Sequence, residues 1–346
     1  MRAIVLVGGF GTRLRPLTLT TPKQMLPVVD RPMIEHVVGG LPRHGVDEAV
    51  LSLGYRPDAF LAAYPDGRCA GVGLQYAVEP QPLDTAGAIR FAAIEAGIDD
   101  TFVVLNGDVL TELDLGALIA GHRARGAEAT IALTPVDDPS RYGVVCTDDA
   151  QRVTSFVEKP PADQAPSRWI NAGVYVLEPS VLGRIPAQRP VSIEREVFPA
   201  MAAEGTLFAR ESDAYWLDVG LPSTFLRAQL DLVDGVRGAP LAPFAADASV
   251  DADAEVVHSV LMAGVEVGAG ATVRDSVVLP GSVIAPGARV DSSVVGRGCR
   301  IGVGAVLEEL AVIGDDTTVG DGVAVRAAAI PAAESGSGAD AGPTAQ

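Results

Sequence analysis

Short apolar runs alternate with amphipathic stretches over the first two thirds of the chain. After Pro32, apolar residues from Met33 to Leu41 fall on one helical face, and Thr85–Ala96 repeats that pattern. The apolar runs have the length of buried parallel strands and are Ala3–Val7, Ala49–Leu53, Leu74–Val78 and Phe102–Leu105. The alternation predicts an α/β domain with a mostly parallel sheet, whose ligands would bind beyond the carboxyl ends of the strands.

A different period governs the last third of the chain. Apolar residues recur every six positions in one phase, at Val295, Ile301, Leu307, Ile313, Val319 and Val325. A spacing of 17 relates Ser259-Val260-Leu261, Ser276-Val277-Val278, Ser293-Val294-Val295 and Leu310-Ala311-Val312. A six-residue period fits neither a helix nor an alternating strand, but it fits a solenoid with three short strands per coil. The pattern resembles the hexapeptide repeat of left-handed β-helices.

Composition marks the borders between these regions. The α/β pattern predicts a first domain over residues 1–233, and residues 234–248, rich in Ala, Pro, Gly and Asp, predict a linker. The six-residue repeat predicts a left-handed β-helix over residues 249–327. The small, polar residues 328–346 predict a disordered tail.

Charge and cysteine content exclude several classes of protein. The formal charge is −18, whereas a protein that binds nucleic acid or an anionic membrane electrostatically should be basic. Cys69, Cys146 and Cys299 form no CxxC, and the four histidines have no ligand spacing, so a zinc site or disulfide framework is not expected. The first seven residues look like a strand rather than a signal peptide, and no apolar stretch approaches the roughly 20 residues of a membrane span. We therefore expect a cytoplasmic protein.

A glycine-rich turn follows the first predicted strand. Gly8, Gly9 and Gly11 satisfy neither the Walker A pattern, because no Gly-Lys pair exists, nor GxGxxG, because Leu14 stands at the last glycine. Consecutive bare amides can bind an anion, and Arg13 and then Lys23 follow them. An ordinary tight turn is the competing interpretation.

Two carboxylates and two lysines could also take part in binding phosphate, either through a metal ion or directly. Asp108 follows the strand at Phe102–Leu105, and Asp218 lies in a second motif far along the chain. Mg²⁺ commonly uses one or two carboxylates and completes its shell with water and phosphate oxygens. Taken by itself, Asp108 is more typical of a turn-forming residue. Lys23 and Lys159 are the only lysines in the chain, and each lies in a motif-like run beside proline. A lysine supplies a compact, mobile point charge for phosphate.

These motifs carry a family resemblance. The chain resembles sugar-1-phosphate nucleotidyltransferases over about residues 1–233, and within them the bacterial mannose-1-phosphate guanylyltransferases, which also have a run like Ser192–Pro199. Asp84, where many relatives have glycine, and Phe10 depart from the pattern near the expected nucleotide, which leaves the base open. The matching motifs are Gly8–Thr18 with Pro22-Lys23, Glu79–Gly87, Gly107-Asp108, Glu158-Lys159-Pro160, Asn171-Ala172-Gly173 and Trp216–Gly220.

The resemblance implies a Rossmann-like nucleotidyltransferase domain and a role for each matching residue. Arg13, Lys23, Asp108 and Asp218 would be catalytic, with Asp108 and Asp218 binding Mg²⁺. Residues expected to bind nucleotide are Gly8, Gly9, Gly11, Thr12, Arg13, Lys23, Gln81, Pro82, Thr85, Gly87 and Asp108. Residues expected to bind sugar phosphate are Gly143, Glu158, Lys159 and Asn171.

The implied reaction joins an NTP and a sugar 1-phosphate into an NDP-sugar and pyrophosphate. The sugar phosphate is ionised near pH 7, so it can attack the α-phosphorus in line without a general base, and catalysis reduces to positioning and charge neutralisation. GTP with mannose 1-phosphate is favoured over glucose 1-phosphate with dTTP, UTP or ATP. A homo-oligomer is expected.

Two other classes of protein remain as alternatives. One is an inactive regulatory paralogue, although Arg13, Lys23 and both aspartates are present. The other is an acyltransferase that works from the β-helix with His258. Base, sugar, pathway, oligomer size and the existence of an allosteric site stay open.

Overall fold

The computed structural model describes residues 1–54, 56–187 and 189–331. These divide into two compact units. Unit 1 comprises Met1–Phe10 and Pro32–Asp218, and unit 2 comprises Gly11–Arg31 and the chain from Val219 on. The glycine-rich motif is therefore split between the units. Within the described ranges, no helix is long and apolar enough to cross a membrane.

The helices and strands of the first 218 residues follow the predicted alternation, with short 3-10 turns between them. The strands are β1 Arg2–Leu6, β2 Pro27–Val28, β3 Arg31–Pro32, β4 Glu48–Leu53, β5 Arg68–Cys69, β6 Val72–Val78, β7 Phe102–Asn106, β8 Val109–Thr111, β9 Ala129–Pro135, β10 Gly143–Thr147, β11 Val153–Glu158, β12 Trp169–Leu177, β13 Leu207–Glu211 and β14 Trp216–Asp218. The α-helices are α1 Met33–Val38, α2 Pro57–Ala63, α3 Asp84–Glu95, α4 Leu115–Arg125 and α5 Phe198–Glu204. The 3-10 helices are Thr12–Leu14, Lys23–Met25, Leu41–His44, Pro139–Arg141, Ala162–Gln164 and Pro179–Arg184, and Ile193–Val197 is a π-helical turn.

A ten-stranded sheet forms the core of unit 1. Its centre is the parallel order β6-β4-β1-β7, made of the four runs predicted from hydrophobicity. The sequence analysis did not predict the antiparallel extension, in which β12 pairs with β7 and β9, and β10 pairs with β11 and β12. A large apolar cluster joins β1, β7 and β12 to α3 and α5 and includes Ile4, Val104, Tyr175, Ala92 and Phe198.

Unit 2 contains helix α6, Pro222–Val233, and a left-handed β-helix. The β-helix consists of three parallel five-stranded sheets, to which each coil contributes one short strand. The first sheet is β15 Ser249–Val250, β18 Glu266–Val267, β21 Val283–Ile284, β24 Arg300–Ile301 and β27 Thr318–Val319. The second is β16 Glu255–Val257, β19 Thr272–Arg274, β22 Arg289–Asp291, β25 Val306–Glu308 and β28 Ala324–Arg326. The third is β17 Val260–Leu261, β20 Val277–Val278, β23 Val294–Val295, β26 Val312–Ile313 and β29 Ala329–Ile330.

The six-residue phase is confirmed in the core of the β-helix. Every residue of that phase, from Val295 to Val325, is buried in one apolar cluster. The 17-residue spacing does not predict the strand register at the last repeat. Val295 pairs with Ile313, 18 residues later, rather than with Val312. Glu309 and Leu310 both adopt left-handed φ angles of 58° and 62°, and this turn absorbs one extra residue. Inward burial thus determines the register, since a one-residue slip would turn the aliphatic side chains outward.

Described residues on both sides of the predicted β-helix form hydrogen bonds with it or extend it. Within the predicted linker, Leu261 donates its N–H to Pro243 and accepts the N–H of Ala245, so these residues align with the first coil. The last strand, β29, lies beyond the predicted boundary at residue 327. Residues 332–346 of the predicted tail lie outside the described residues.

Candidate active site

The two predicted metal ligands of unit 1 meet through a short antiparallel ladder. Strand β14 pairs with β8 so that Asp218 lies opposite Val109, the residue directly after Asp108. Asp108 follows the buried strand β7 through Gly107, where a Cβ atom would come within 2.6 Å of a Val7 methyl group. Trp216 helps to hold β14 because its indole N–H donates to the carbonyl of Ala172 at 2.9 Å. The ladder therefore brings both carboxylates to one end of β8.

The Asn171 motif lies beside the turn that carries Asp108. Gly173 has a left-handed φ of 74°, and a Cβ atom there would lie 2.5 Å from the amide nitrogen of Asn106, the last residue of β7. The Asn171 amide donates to the Tyr175 hydroxyl at 2.9 Å and accepts the Gly173 N–H at 3.0 Å. Its orientation is therefore fixed by the protein.

Tyr175 was missed by the sequence analysis and lies at the centre of this region. Burial raises the pKa of its phenol well above the usual range, and the negative charges of Glu194, Glu158 and Asp108 act in the same direction. The phenol consequently stays protonated and neutral among carboxylates. The only sequence signal was its place in the apolar strand after Asn171.

Strands β10 and β11 bring three of the predicted sugar-phosphate residues together. Gly143 pairs with Glu158, and a Cβ atom at Gly143 would lie 3.0 Å from a Glu158 carboxylate oxygen and 2.6 Å from the Phe156 ring. The Lys159 ammonium lies 3.5 Å from Glu158 Oε1, and the lysine side chain is 56% exposed. Burial, followed by the charge of Glu194, raises the pKa of Glu158, whereas Lys159 lowers it.

The turn predicted to border the base runs from β6 into α3. Gln81 and Pro82 are exposed, whereas Gly87 is buried within the helix, where a Cβ atom would come within 2.9 Å of Leu83. Asp84 adopts a left-handed φ of 60°, a conformation that glycine adopts without steric cost. Aspartate tolerates this conformation better than most residues.

Glu79 belongs to a matching motif but has no predicted role, and its carboxylate lies where three strands end. Its carboxylate accepts the Ser52 hydroxyl at 3.1 Å and the Leu83 N–H at 3.1 Å. A Cβ atom at Gly8 would lie 3.4 Å from the same carboxylate, while Gly9 has open space around it. Glu79 thus fixes the start of the glycine turn against the Gln81–Gly87 turn.

Glu194 is a second residue that the sequence analysis did not assign. Its carboxylate accepts hydroxyls from Thr85 and Ser192, both at 2.7 Å, and Thr85 also accepts the Ile193 N–H at 2.9 Å. Glu194 therefore joins the start of α3 to the carboxylate group around Glu158. Its position in the Ser192–Pro199 run was the one available signal.

The remaining candidates lie in unit 2, within the segment Gly11–Arg31. Gly11 has a left-handed φ of 62° and precedes the 3-10 helix with Thr12 and Arg13, both exposed. Its carbonyl accepts the Thr18 hydroxyl at 2.7 Å, and a Cβ atom on Gly11 would lie 3.3 Å from Lys23 Cβ. Lys23 is only 8% exposed, so its chain is confined beside Gly11.

The carboxylates fit a divalent cation bound together with phosphate. In the described residues no group of three or more His, Cys, Asp or Glu could hold a metal by itself. Two carboxylates, Asp108 and Asp218, match the donor set of Mg²⁺ when substrate phosphates and water complete the shell.

His258, the residue on which the acyltransferase alternative depends, is held between two carboxylates. Its two ring nitrogens lie 2.5 Å from Asp275 and 3.1 Å from Asp234, and the hydrogen bond with Asp275 and then that with Asp234 raise the pKa of the imidazole. The imidazole connects the end of α6 to the first coils, and because both of its ring nitrogens are held by carboxylates it is poorly placed to act as a base.

Comparison with known proteins defines the class. The nucleotidyl transferase family matches residues 2–235, and the GMPPB C-terminal domain matches residues 242–335. The chain belongs to the nucleotidyl transferase family, and its assignment to the sugar-1-phosphate nucleotidyltransferases is confirmed. This family uses a nucleoside triphosphate and a sugar 1-phosphate and generally requires a divalent metal.

One curated relative and two solved structures illustrate the similarity to known proteins. The mannose-1-phosphate guanylyltransferase of Mycobacterium tuberculosis is 44% identical over 243 residues, which cover 69% of this chain and 66% of the relative. A putative glucose-1-phosphate thymidylyltransferase from Bacillus anthracis has a TM-score of 0.61 and 27% identity, covering 66% of this chain and 94% of that one. HddC from Yersinia pseudotuberculosis, complexed with GMP-PN, has a TM-score of 0.56 and 29% identity. This match covers 66% of the present chain and 97% of HddC. Alignments with the curated relatives span 62–73% of those relatives' lengths.

Proposed function

We propose that this chain transfers GMP from GTP to mannose 1-phosphate, producing GDP-mannose and pyrophosphate. The choice of guanine as the base and mannose as the sugar rests on the 44% identity with a mannose-1-phosphate guanylyltransferase over 243 residues. The pairing of β8 with β14 supports phosphoryl-transfer chemistry, because it gathers the two carboxylates that a metal-bound triphosphate requires.

Each candidate residue has a role in this proposal. Gly8, Gly9 and Gly11 leave backbone amides open to the nucleotide, and Arg13 and Lys23 neutralise its phosphates. Glu158 and Asn171 orient sugar hydroxyls, and Lys159 holds the sugar phosphate for in-line attack. Asp108 and Asp218 would hold Mg²⁺, which when bound neutralises charge that develops on the phosphates. The turn with Gln81, Pro82, Thr85 and Gly87 borders the base.

Glucose 1-phosphate thymidylyl transfer is the second candidate, supported by the B. anthracis neighbour, which is named a putative glucose-1-phosphate thymidylyltransferase. Incubation of the purified protein with each of GTP, dTTP, UTP and ATP, combined with mannose or glucose 1-phosphate and Mg²⁺, separates the two by chromatography of the products. GDP-mannose as the dominant product supports the proposal, whereas a predominant dTDP-, UDP- or ADP-sugar refutes the base assignment. An absence of any NDP-sugar with intact folding would instead support a regulatory paralogue.

We further propose a cytoplasmic homo-oligomer. Cys69, Cys146 and Cys299 are all free thiols, which suits a reducing compartment. The ends of a solenoid expose strand edges that favour self-association. Light scattering at micromolar concentration should give at least a dimer, and deletion of Ser249–Gln346 should lower both oligomer mass and thermal stability.

A further inference from the structure

The segment Gly11–Arg31 contains little regular structure of its own. It holds two 3-10 helices of three residues each, so its shape depends on contacts with the rest of unit 2. Lys23 lies near the middle of this segment and is almost buried. Any phosphate contact of Lys23 therefore requires the backbone on both sides of it to be held in place.

Helix α6 holds the segment on the C-terminal side of Lys23. The amide of Gln229 is fully buried, accepts the Val29 N–H at 2.6 Å and donates to the carbonyl of Pro27 at 2.9 Å. Val29 has a left-handed φ of 55°, an unfavourable conformation for a β-branched residue. A strained turn of this kind persists only where surrounding contacts enforce it, and both polar ends of Gln229 do so.

The β-helix holds the segment on the N-terminal side of Lys23. The Thr20 hydroxyl donates to Asp315 Oδ2 at 2.7 Å, while Asp315 Oδ1 accepts the Arg297 N–H at 2.9 Å. At the neighbouring Gly314, a Cβ atom would lie 2.8 Å from Pro16, so only glycine permits this approach. The late coils thus contact the segment at two points before Lys23.

We propose that Gln229 and Asp315 are positioning residues for Lys23, which makes the β-helix part of the catalytic apparatus as well as an assembly module. Their contacts bracket Lys23 at Thr20 and Pro27, three residues before it and four residues after it. The proposal rests on the proposed function, in which Lys23 neutralises nucleotide phosphate. A small displacement of such a cation is expensive, because catalytic groups must be aligned within a fraction of an ångström.

Steady-state kinetics on the full-length protein test this inference, with each substrate varied in turn. Gln229→Met and Thr20→Val should each lower kcat/KM for NTP, on the order of tenfold for Gln229→Met, and leave KM for sugar phosphate unchanged. In Asp315→Asn the single amide oxygen cannot accept both the Thr20 hydroxyl and the Arg297 N–H, so this variant should lower kcat/KM for NTP in the same direction as Thr20→Val. Arg227→Met is the matched control, because Arg227 lies on the same helix with a side chain that is 65% exposed.

A double-mutant cycle with Lys23→Ala separates positioning through Lys23 from a general structural effect. If Gln229 acts through Lys23, then Gln229→Met should cost almost nothing further in the Lys23→Ala background. Full additivity would overturn the inference, as would wild-type kinetics in folded Gln229→Met and Thr20→Val. If Gln229→Met fails to fold, the cycle with the exposed Thr20→Val decides the question. A Lys23→Ala enzyme with wild-type activity would instead refute the role of Lys23 in the proposed function.

Discussion

Asp108 and Asp218 lie at the same end of the β8–β14 ladder, with Asp218 directly opposite the residue that follows Asp108. Backbone pairing holds these two residues close together in unit 1, and the orientation of each side chain then decides whether both carboxylates reach one cation. A backbone held in this way reduces the rearrangement that a site needs to stabilise developing charge.

The carboxylate pair leads to the first prediction. Asp108→Asn and Asp218→Asn should each lower kcat by at least about 100-fold while thermal stability stays close to wild type, because the change removes a metal ligand and conserves shape. Wild-type activity should vanish in excess EDTA and return with added Mg²⁺. Asp149→Asn, an exposed carboxylate in the same unit, is the control. Full turnover of Asp108→Asn in Mg²⁺ would refute the assignment.

Lys159 leads to the second prediction. Lys159→Ala should raise KM for sugar 1-phosphate by about tenfold or more and change KM for NTP little, since a charge-assisted contact to one substrate is lost. Lys159→Arg should not restore wild-type behaviour, because the guanidinium is longer and forked. By contrast, Lys23→Ala should mainly reduce turnover and NTP use. If Lys159→Ala weakened only the binding of NTP, Lys159 would have been assigned to the wrong substrate.

The charge of Glu194 leads to the third prediction, a pH effect. Burial and Glu194 raise the pKa of Glu158, so Glu158 becomes protonated at a higher pH than an ordinary glutamate. If ionised Glu158 accepts a sugar hydroxyl, KM for sugar 1-phosphate should increase as the pH falls through that raised pKa. In Glu194→Gln the pKa of Glu158 should fall, which moves this increase to lower pH.

The ratio of variant to wild-type KM at each pH cancels titration of the substrate itself. Glu196→Gln is the matched control, because Glu196 lies in the same turn but is paired with Arg189 on the surface. Coincident profiles for Glu194→Gln and wild type would contradict the proposed coupling between the two glutamates.

The core of the β-helix leads to the fourth prediction. Leu307 is completely buried in the six-residue phase, so Leu307→Ala should lower the free energy of unfolding by about 2–5 kcal/mol. Val303 is 52% exposed, so Val303→Ala should change the free energy of unfolding by less than about 0.5 kcal/mol. Urea titration followed by circular dichroism measures both. Equal losses in the two variants would mean that the inward phase has been misassigned.

The sequence by itself determined the elements with a local signal. Continuous apolar runs fixed the four central parallel strands, and the six-residue phase identified the inward residues of the β-helix, because burial selects side chains at the period of the backbone. The position of the candidate carboxylates was also predictable, since Asp108, Glu158 and Asp218 all lie at or just beyond the end of a strand, whereas their chemistry stays a prediction.

Only the tertiary structure decided which distant residues meet. The β8–β14 pairing, the contact of Thr85 with Glu194 and the bracketing of Lys23 by Gln229 and Asp315 each join residues that no local period relates. The extra residue at Glu309-Leu310 likewise emerged only when the coils stacked, because burial of Ile313 outweighed the regular 17-residue spacing. Local periodicity encodes which face of an element is buried, whereas long-range packing decides which functional side chains become neighbours.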